Sequence, residues 1–149
     1  MGGIRTILVT TDFSETSKAA LPWARDVAGK FGARLLVAHV HEDRMPPFVV
    51  EYGQTAFAEL LDRQRKQAEE LLSTAARELG GSAEALVADG VPHVEIVRLA
   101  EERKVDLIVM ATHGRGFISH ALMGSTTERV IRRAPCPVLV VRQDEKRKS

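Results

Sequence analysis

Five short apolar runs punctuate the chain: IRTILVTT (4–11), ARLLVAHVH (33–41), the weaker AEALVADG (83–90), DLIVMATHG (106–114) and PVLVVR (137–142). They are rich in β-branched residues and are not regularly interrupted by polar ones. Strands of a parallel sheet, buried on both faces, have this pattern. Between the runs, apolar positions recur at helical spacing. Ser14 is placed to cap a first helix carrying Ala19, Ala20, Trp23, Val27 and Phe31 toward the core, with Gly32 closing it. Pro22 inside that helix predicts a lost hydrogen bond and a bend. A second helix has Phe57, Leu61, Ala68, Leu72, Ala75 and Leu79 on one stripe and stops at Gly80-Gly81. A third starts near Pro92, with Val94, Val97 and Ala100 on its core side. A fourth runs from Gly124-Ser125 to about Arg133, where Pro135 and Pro137 bar continuation.

The resulting order, βαβαβαβαβ, predicts an α/β fold: an open, doubly wound, five-stranded parallel sheet with four helices, two on each face. Residues 1–149 are expected to form one domain, with a core of about 4–142 and a short basic tail, 143–149. One irregular segment, 41–54, contains Met45, Pro46-Pro47, Phe48, Val49 and Val50 and is expected to be a flap or a contact surface. Basic and acidic residues nearly cancel, 21 against 20, so no global field points to nucleic acid or a membrane. No apolar run approaches the ~18 residues that span a bilayer. The start carries Gly2 and Thr6 in the spacing of a myristoylation signal, but Ile4–Thr10 is better read as the first strand. Cys136 is the single cysteine, which excludes an internal disulfide and a cysteine-rich metal site. Between two prolines, it is expected to be a buried small hydrophobe. A cytoplasmic protein is the expectation.

In a sheet of this kind, ligands bind beyond the carboxyl ends of the strands, where the strand order reverses. Two corners there stand out. One is TTDFSE (10–15); the other is ATHGRGFISHALMGSTTERVI (111–131). Gly114 and Gly116 allow backbone N–H groups to approach a ligand. Gly124 and Ser125 stand at a helix start, where N–H groups and the helix dipole favour an anion. Ser125, Thr126 and Thr127 add hydroxyls. The alternative is a plain turn followed by a Ser125 or Thr126 cap. Neither the Walker loop nor the dinucleotide G-x-G-x-x-G pattern is present.

Other chemistries find less support. His39, His41, His93, His113 and His120 do not make a metal-ligand spacing, and His39 and His41 are expected to point apart at a strand end. No metal site built from a side-chain cluster is expected. Ser14, Ser125 and His113 could suggest a hydrolase, but no G-x-S-x-G nucleophile elbow exists. Arg129, Arg132 and Arg133 read as a solvated helix face.

Gly114, nine residues and then Gly124-Ser125 resembles the ATP-binding signature of the universal stress protein family, Gly-x2-Gly-x9-Gly-Ser/Thr. The likeness extends through ILVTTDFSETSKAAL, LLVAHVHE and GSTTERVIRRAPCPVLVVR, and so covers about Ile4 to Arg142. It implies a Rossmann-like, adenine-nucleotide-binding fold and ATP bound with Mg²⁺ or Mn²⁺. By resemblance, Asp12 meets the ribose, while Thr10 and Val40 flank the adenine. Met110, Ala111, Thr112, His113, Gly114, Arg115 and Gly116, with Gly124, Ser125 and Thr126, wrap the ribose and phosphates. Asp12 has a structural alternative as a helix cap. The metal would be held mainly by the phosphates, with Ser125 a possible ligand. The resemblance also implies a stress-response or signalling role and a homodimer through the last strand, 138–141. Rival readings are a slow ATPase or autophosphorylating switch, a nucleotide-free interaction module, and a binder of AMP or cyclic AMP. The family's first glycine is Ala111 here. A position needing φ > 0 would strain alanine by ~1–2 kcal/mol; one needing only a small residue would not.

Overall fold

The computed structural model describes residues 3–42, 53–113 and 123–143. Its elements are β1 (Thr6–Thr10), α1 (Glu15–Lys18), α2 (Ala20–Phe31), β2 (Arg34–His41), α3 (Gln54–Glu78), β3 (Glu84–Asp89), α4 (Pro92–Glu102), β4 (Leu107–Ala111), α5 (Ser125–Arg133) and β5 (Val138–Val141). The strands form one sheet in the order β3-β2-β1-β4-β5, and every pairing is parallel. The expected α/β architecture is therefore present. The segment read as a flap or contact surface lies, from 43 to 52, outside the described residues.

Alternation along the strands builds two cores. Ile7, Val9, Leu35, Val37, Leu107 and Val109 face α2 and α3, packing on Ala20, Ala24, Ala28 and Leu72. Leu8, Leu36, Ala38, Ile108 and Met110 face α4 and α5, packing on Ile96, Leu99, Ala100 and Val130. All five residues of β4 are buried, so the unbroken apolar run marks a strand covered on both faces.

The first predicted helix is in two pieces. Pro22 has no N–H to donate to the carbonyl of Lys18, and the helix breaks at Ala19 between α1 and α2. Pro22 then sits in the first turn of α2, where that donor is not needed. Gly32 closes α2 at φ 62°, the left-handed region open to glycine.

Two helices turn a face inward that only partly matches the one the sequence suggested: Ala20 and Ala100 are buried as expected, but larger residues expected beside them are not. Trp23 and Phe31 are 52% and 58% exposed, while Ala20, Ala24 and Ala28 are buried. In α4 the buried residues are Ile96, Leu99 and Ala100, and Val94 is exposed. The reason is distance: an alanine ridge lets the α2 backbone lie close to the β-branched surface of the sheet, and bulky aromatics would hold it off. The α3 stripe is closer to expectation, with Phe57, Ala68 and Leu72 buried together with Ala76.

At the amino end of the sheet, one carboxylate oxygen of Asp106 accepts the N–H groups of Arg5 and Thr6, at 2.9 and 3.0 Å. The N–H of Asp106 returns a bond to the carbonyl of Thr6, at 2.8 Å. These bonds start β1 and β4 in register. Cys136 is half-buried and packs beside the second core. Burial, followed by the charge of Asp106, pushes its thiol above the usual cysteine range.

Candidate functional site

With β1 and β4 adjacent at the centre of the sheet, successive connections leave in opposite directions from this pair. A cleft opens between their diverging loops. Its volume is about 770 Å³. Thr10 and Asp12 from the end of β1, Val40 from β2, and Met110, Ala111 and His113 from β4 and its exit all line it. Gly124, Ser125 and Thr126 at the start of α5 complete that wall. Gly114, Arg115 and Gly116 lie outside the described residues. Thr112 does not line the cleft. Its N–H donates to Val141 and its carbonyl accepts from Gly124, at 3.0 and 2.7 Å, so it fastens β4 to β5 and to the start of α5.

The glycine at 124 is favoured by tight space rather than by its backbone angles. Its φ is −65°, open to any residue. A Cβ there would come within 3.0 Å of the His113 Cα and 3.1 Å of its Cβ. Gly124 itself is the N-cap, and among the described residues no side chain caps this helix. The alternative of a Ser125 or Thr126 cap is thus not what forms here. Those residues occupy the first helical positions, where N–H groups lack intrahelical acceptors. Thr127 is buried, and its hydroxyl donates to the carbonyl of Ala111 at 2.9 Å, tying the helix start to the strand end. Ala111 lies within β4, is buried, and is not among the positive-φ residues. Of the two requirements considered for this position, the structure has the second, a small residue in extended backbone.

The other corner is a closed hydrogen-bond network. The Asp12 Oδ1 accepts the N–H and the hydroxyl of Ser14, at 3.0 and 2.5 Å. Ser14 in turn caps α1 by accepting the N–H of Ser17. Asp12 therefore supports the helix start while its residue lines the cleft, so the structural and cleft-facing readings are compatible. Phe13 has φ 68°, a backbone region costing a side-chain-bearing residue about 1–2 kcal/mol. It is held there by its N–H bond to the Thr11 Oγ1, at 3.0 Å, and by its ring against His39, with centroids 4.5 Å apart.

Sequence reading missed several lining residues: Thr11, Phe13, Ser17 and His39, and the α3 side chains Gln64, Gln67 and Leu71. The apolar stripe of α3 was visible, but nothing in it says which turns overlook a strand end. His39 and His41 are not directed apart. Two residues apart in β2, they share a face, and both line the cleft. The His39 Nδ1 is 2.8 Å from the Thr11 carbonyl. The His41 Nδ1 is 3.5 Å from Asp89, which also pairs with Arg65 of α3. Among the described residues, no group of three or more His, Cys, Asp or Glu could hold a metal, and no helix is long and apolar enough to cross a membrane.

Known proteins share this fold. A protein of Thermus aquaticus named as a universal stress protein is 39% identical over 139 residues, covering 93% of this chain and 98% of its own. The solved structure of MJ0577 of Methanocaldococcus jannaschii superposes with a TM-score of 0.83 at 31% identity, covering 97% of this chain and 99% of its own. A universal stress protein solved in complex with cAMP has a TM-score of 0.64 at 26% identity, covering 96% of this chain and all of its own. The model of the universal stress protein family matches residues 3–142. With sequence and fold in agreement, the chain belongs to the universal stress protein family.

Proposed function

We propose that this protein binds an adenine nucleotide, ATP with Mg²⁺ or Mn²⁺, in the cleft at the carboxyl ends of β1, β2 and β4, and acts as a regulatory stress-response protein. The observation that carries this reading is the meeting of the Asp12 corner with the uncapped start of α5 across one cleft. Asp12 would take the ribose, while Thr10, Val40 and Met110 would enclose the base. Ala111, His113, Gly114, Arg115, Gly116, Gly124, Ser125 and Thr126 would form the phosphate wall, with Thr112 bracing it through its bonds to Val141 and Gly124. The start of α5 suits the phosphates because its N–H groups and dipole attract negative charge. The residues fit a metal carried in by the phosphates, with the Ser125 hydroxyl within the same wall. When bound, the ion would neutralise phosphate charge.

Titration calorimetry tests this. The expected result is ATP binding with Kd near the micromolar range (~8 kcal/mol), tighter with Mg²⁺ and weak for GTP. No binding at about 1 mM ATP would overturn it. The relative in complex with cAMP favours a second reading, in which AMP or cyclic AMP is the preferred ligand. Competition by these nucleotides in the same titration decides between the two.

Turnover is proposed to be slow or absent. Fast phosphoryl transfer needs a positioned acceptor and a cation meeting the developing charge. A cradle gripping ground state and transition state alike does not raise kcat. Phosphate release at least a thousandfold below the ~1 s⁻¹ floor of typical enzymes is expected. We also propose a cytoplasmic homodimer formed through β5. Among the described residues that strand pairs only with β4, and Val138, Leu139 and Val140 are only partly buried. Such an apolar edge is a template for pairing with another chain. Light scattering should give about twice 16.4 kDa, and a monomer would refute the dimer.

A further inference from the structure

We infer that Ser17 is a positioning residue, holding Asp12 so that its carboxylate addresses the two hydroxyls of a nucleotide sugar. The inference rests on the adenine-nucleotide reading and adds to it a residue that the glycine signature does not contain. Ser17 is buried, and it lies on α1, a single turn whose place is set by the corner itself.

Proton accounting gives its hydroxyl a full set of bonds. Its one hydrogen goes to the Ser14 carbonyl at 3.0 Å. The Thr11 hydroxyl, 3.0 Å away, must then be the donor in that pair. The Asp12 N–H donates to the same Ser17 oxygen at 3.2 Å. Thr11 accepts the N–H of Phe13, so the chain of bonds continues into the left-handed residue. Ser17 thus joins both flanks of Asp12. Through its oxygen it holds the Asp12 backbone; through its own N–H and hydroxyl it holds Ser14, which grips the Asp12 Oδ1. Removing that oxygen leaves a buried hydroxyl and a backbone N–H without their acceptor and loosens the backbone that carries the Asp12 carboxylate.

The test compares ATP with 2′,3′-dideoxy-ATP, which lacks both sugar hydroxyls, on the full chain, with circular dichroism as a check on folding. The parent should favour ATP by about tenfold or more, the scale of a hydrogen bond to a charged group. Ser17→Ala should lose most of that preference by weakening ATP alone, leaving dideoxy-ATP within about twofold of its parent value. If Ser17→Ala fails to fold, Ser17→Cys repeats the test with a weak acceptor of similar shape. Equal weakening of both nucleotides would mean a general structural role and overturn the inference, as would an unchanged preference. In either case the nucleotide reading stands. A parent that binds both nucleotides equally overturns the inference alone. A parent that binds neither overturns both.

Discussion

The two ends of the sheet each carry an aspartate beside β1, and the two are used in opposite ways. At the amino end, Asp106 accepts two backbone N–H groups from the start of β1 with a single carboxylate oxygen. Its neighbours are strand starts and the half-buried Cys136. At the carboxyl end, Asp12 also accepts local donors, from Ser14, but its residue lines a cleft of about 770 Å³. Parallel strands explain the asymmetry. Every crossover leaves from the carboxyl end of one strand and re-enters at the amino end of the next, so diverging exits open a cleft at one end only. The same residue type is therefore structural at one end and available to a ligand at the other.

The sharpest way to break this comparison is Gly124→Val, which drives a side chain against the His113 backbone at the cleft wall. ATP affinity should fall by at least about a hundredfold, equivalent to ~3 kcal/mol. Urea unfolding should show a smaller stability loss, because the position lies at a corner. Affinity equal to the parent in a folded variant would remove Gly124 from the site.

The aspartates give the direct contrast. Asp106→Ala should cost about 2 kcal/mol of stability, since two N–H groups lose a charged acceptor, with nucleotide affinity unchanged. Asp12→Ala should weaken ATP about tenfold and cost no more than about 1 kcal/mol of stability, through the Ser14 bonds. If both variants lose stability equally and neither alters binding, the functional difference between the ends disappears.

Ala111→Gly is a finer probe. Because Ala111 is extended and buried, glycine should bring no relief of strain and should cost roughly 0.5–1 kcal/mol of stability. Affinity should stay equal to the parent, and a marked loss in calorimetry would mean that the alanine methyl packs on the ligand. The smallest effect belongs to Cys136. The pH midpoint of its alkylation should lie above that of a free thiol, because burial disfavours the thiolate. Asp106→Asn should lower the midpoint only slightly, since burial is the larger cause and the aspartate charge the lesser.

Much of this architecture is legible in the chain because it rests on local rules. Continuous β-branched runs mark strands buried twice over, and β4 has no exposed residue. Pro22 and Gly32 act through their own backbones, so the break before α2 and its end are visible without tertiary knowledge. The nine-residue spacing between Gly114 and Gly124 likewise pointed to the corner where Gly124, Ser125 and Thr126 line the cleft. Helix facing was not legible in the same way. The helical spacing put Trp23 and Phe31 on the core side along with Ala20, yet the sheet takes Ala20, Ala24 and Ala28, because close approach of a helix depends on what lies opposite it.

The sequence by itself determined the order of elements, the two-faced burial of the central strands and the family signature, since each depends on residues near one another in the chain. Only the tertiary structure decided that Thr112 serves as a brace, that Thr127 ties α5 to β4, and that Ser17 joins Thr11, Asp12 and Ser14. The choice among several partners for a hydroxyl depends on angles and distances set by the packed corner. Serine and threonine satisfy equally well a cap, a strand end or a ligand, and the surrounding backbone chooses which.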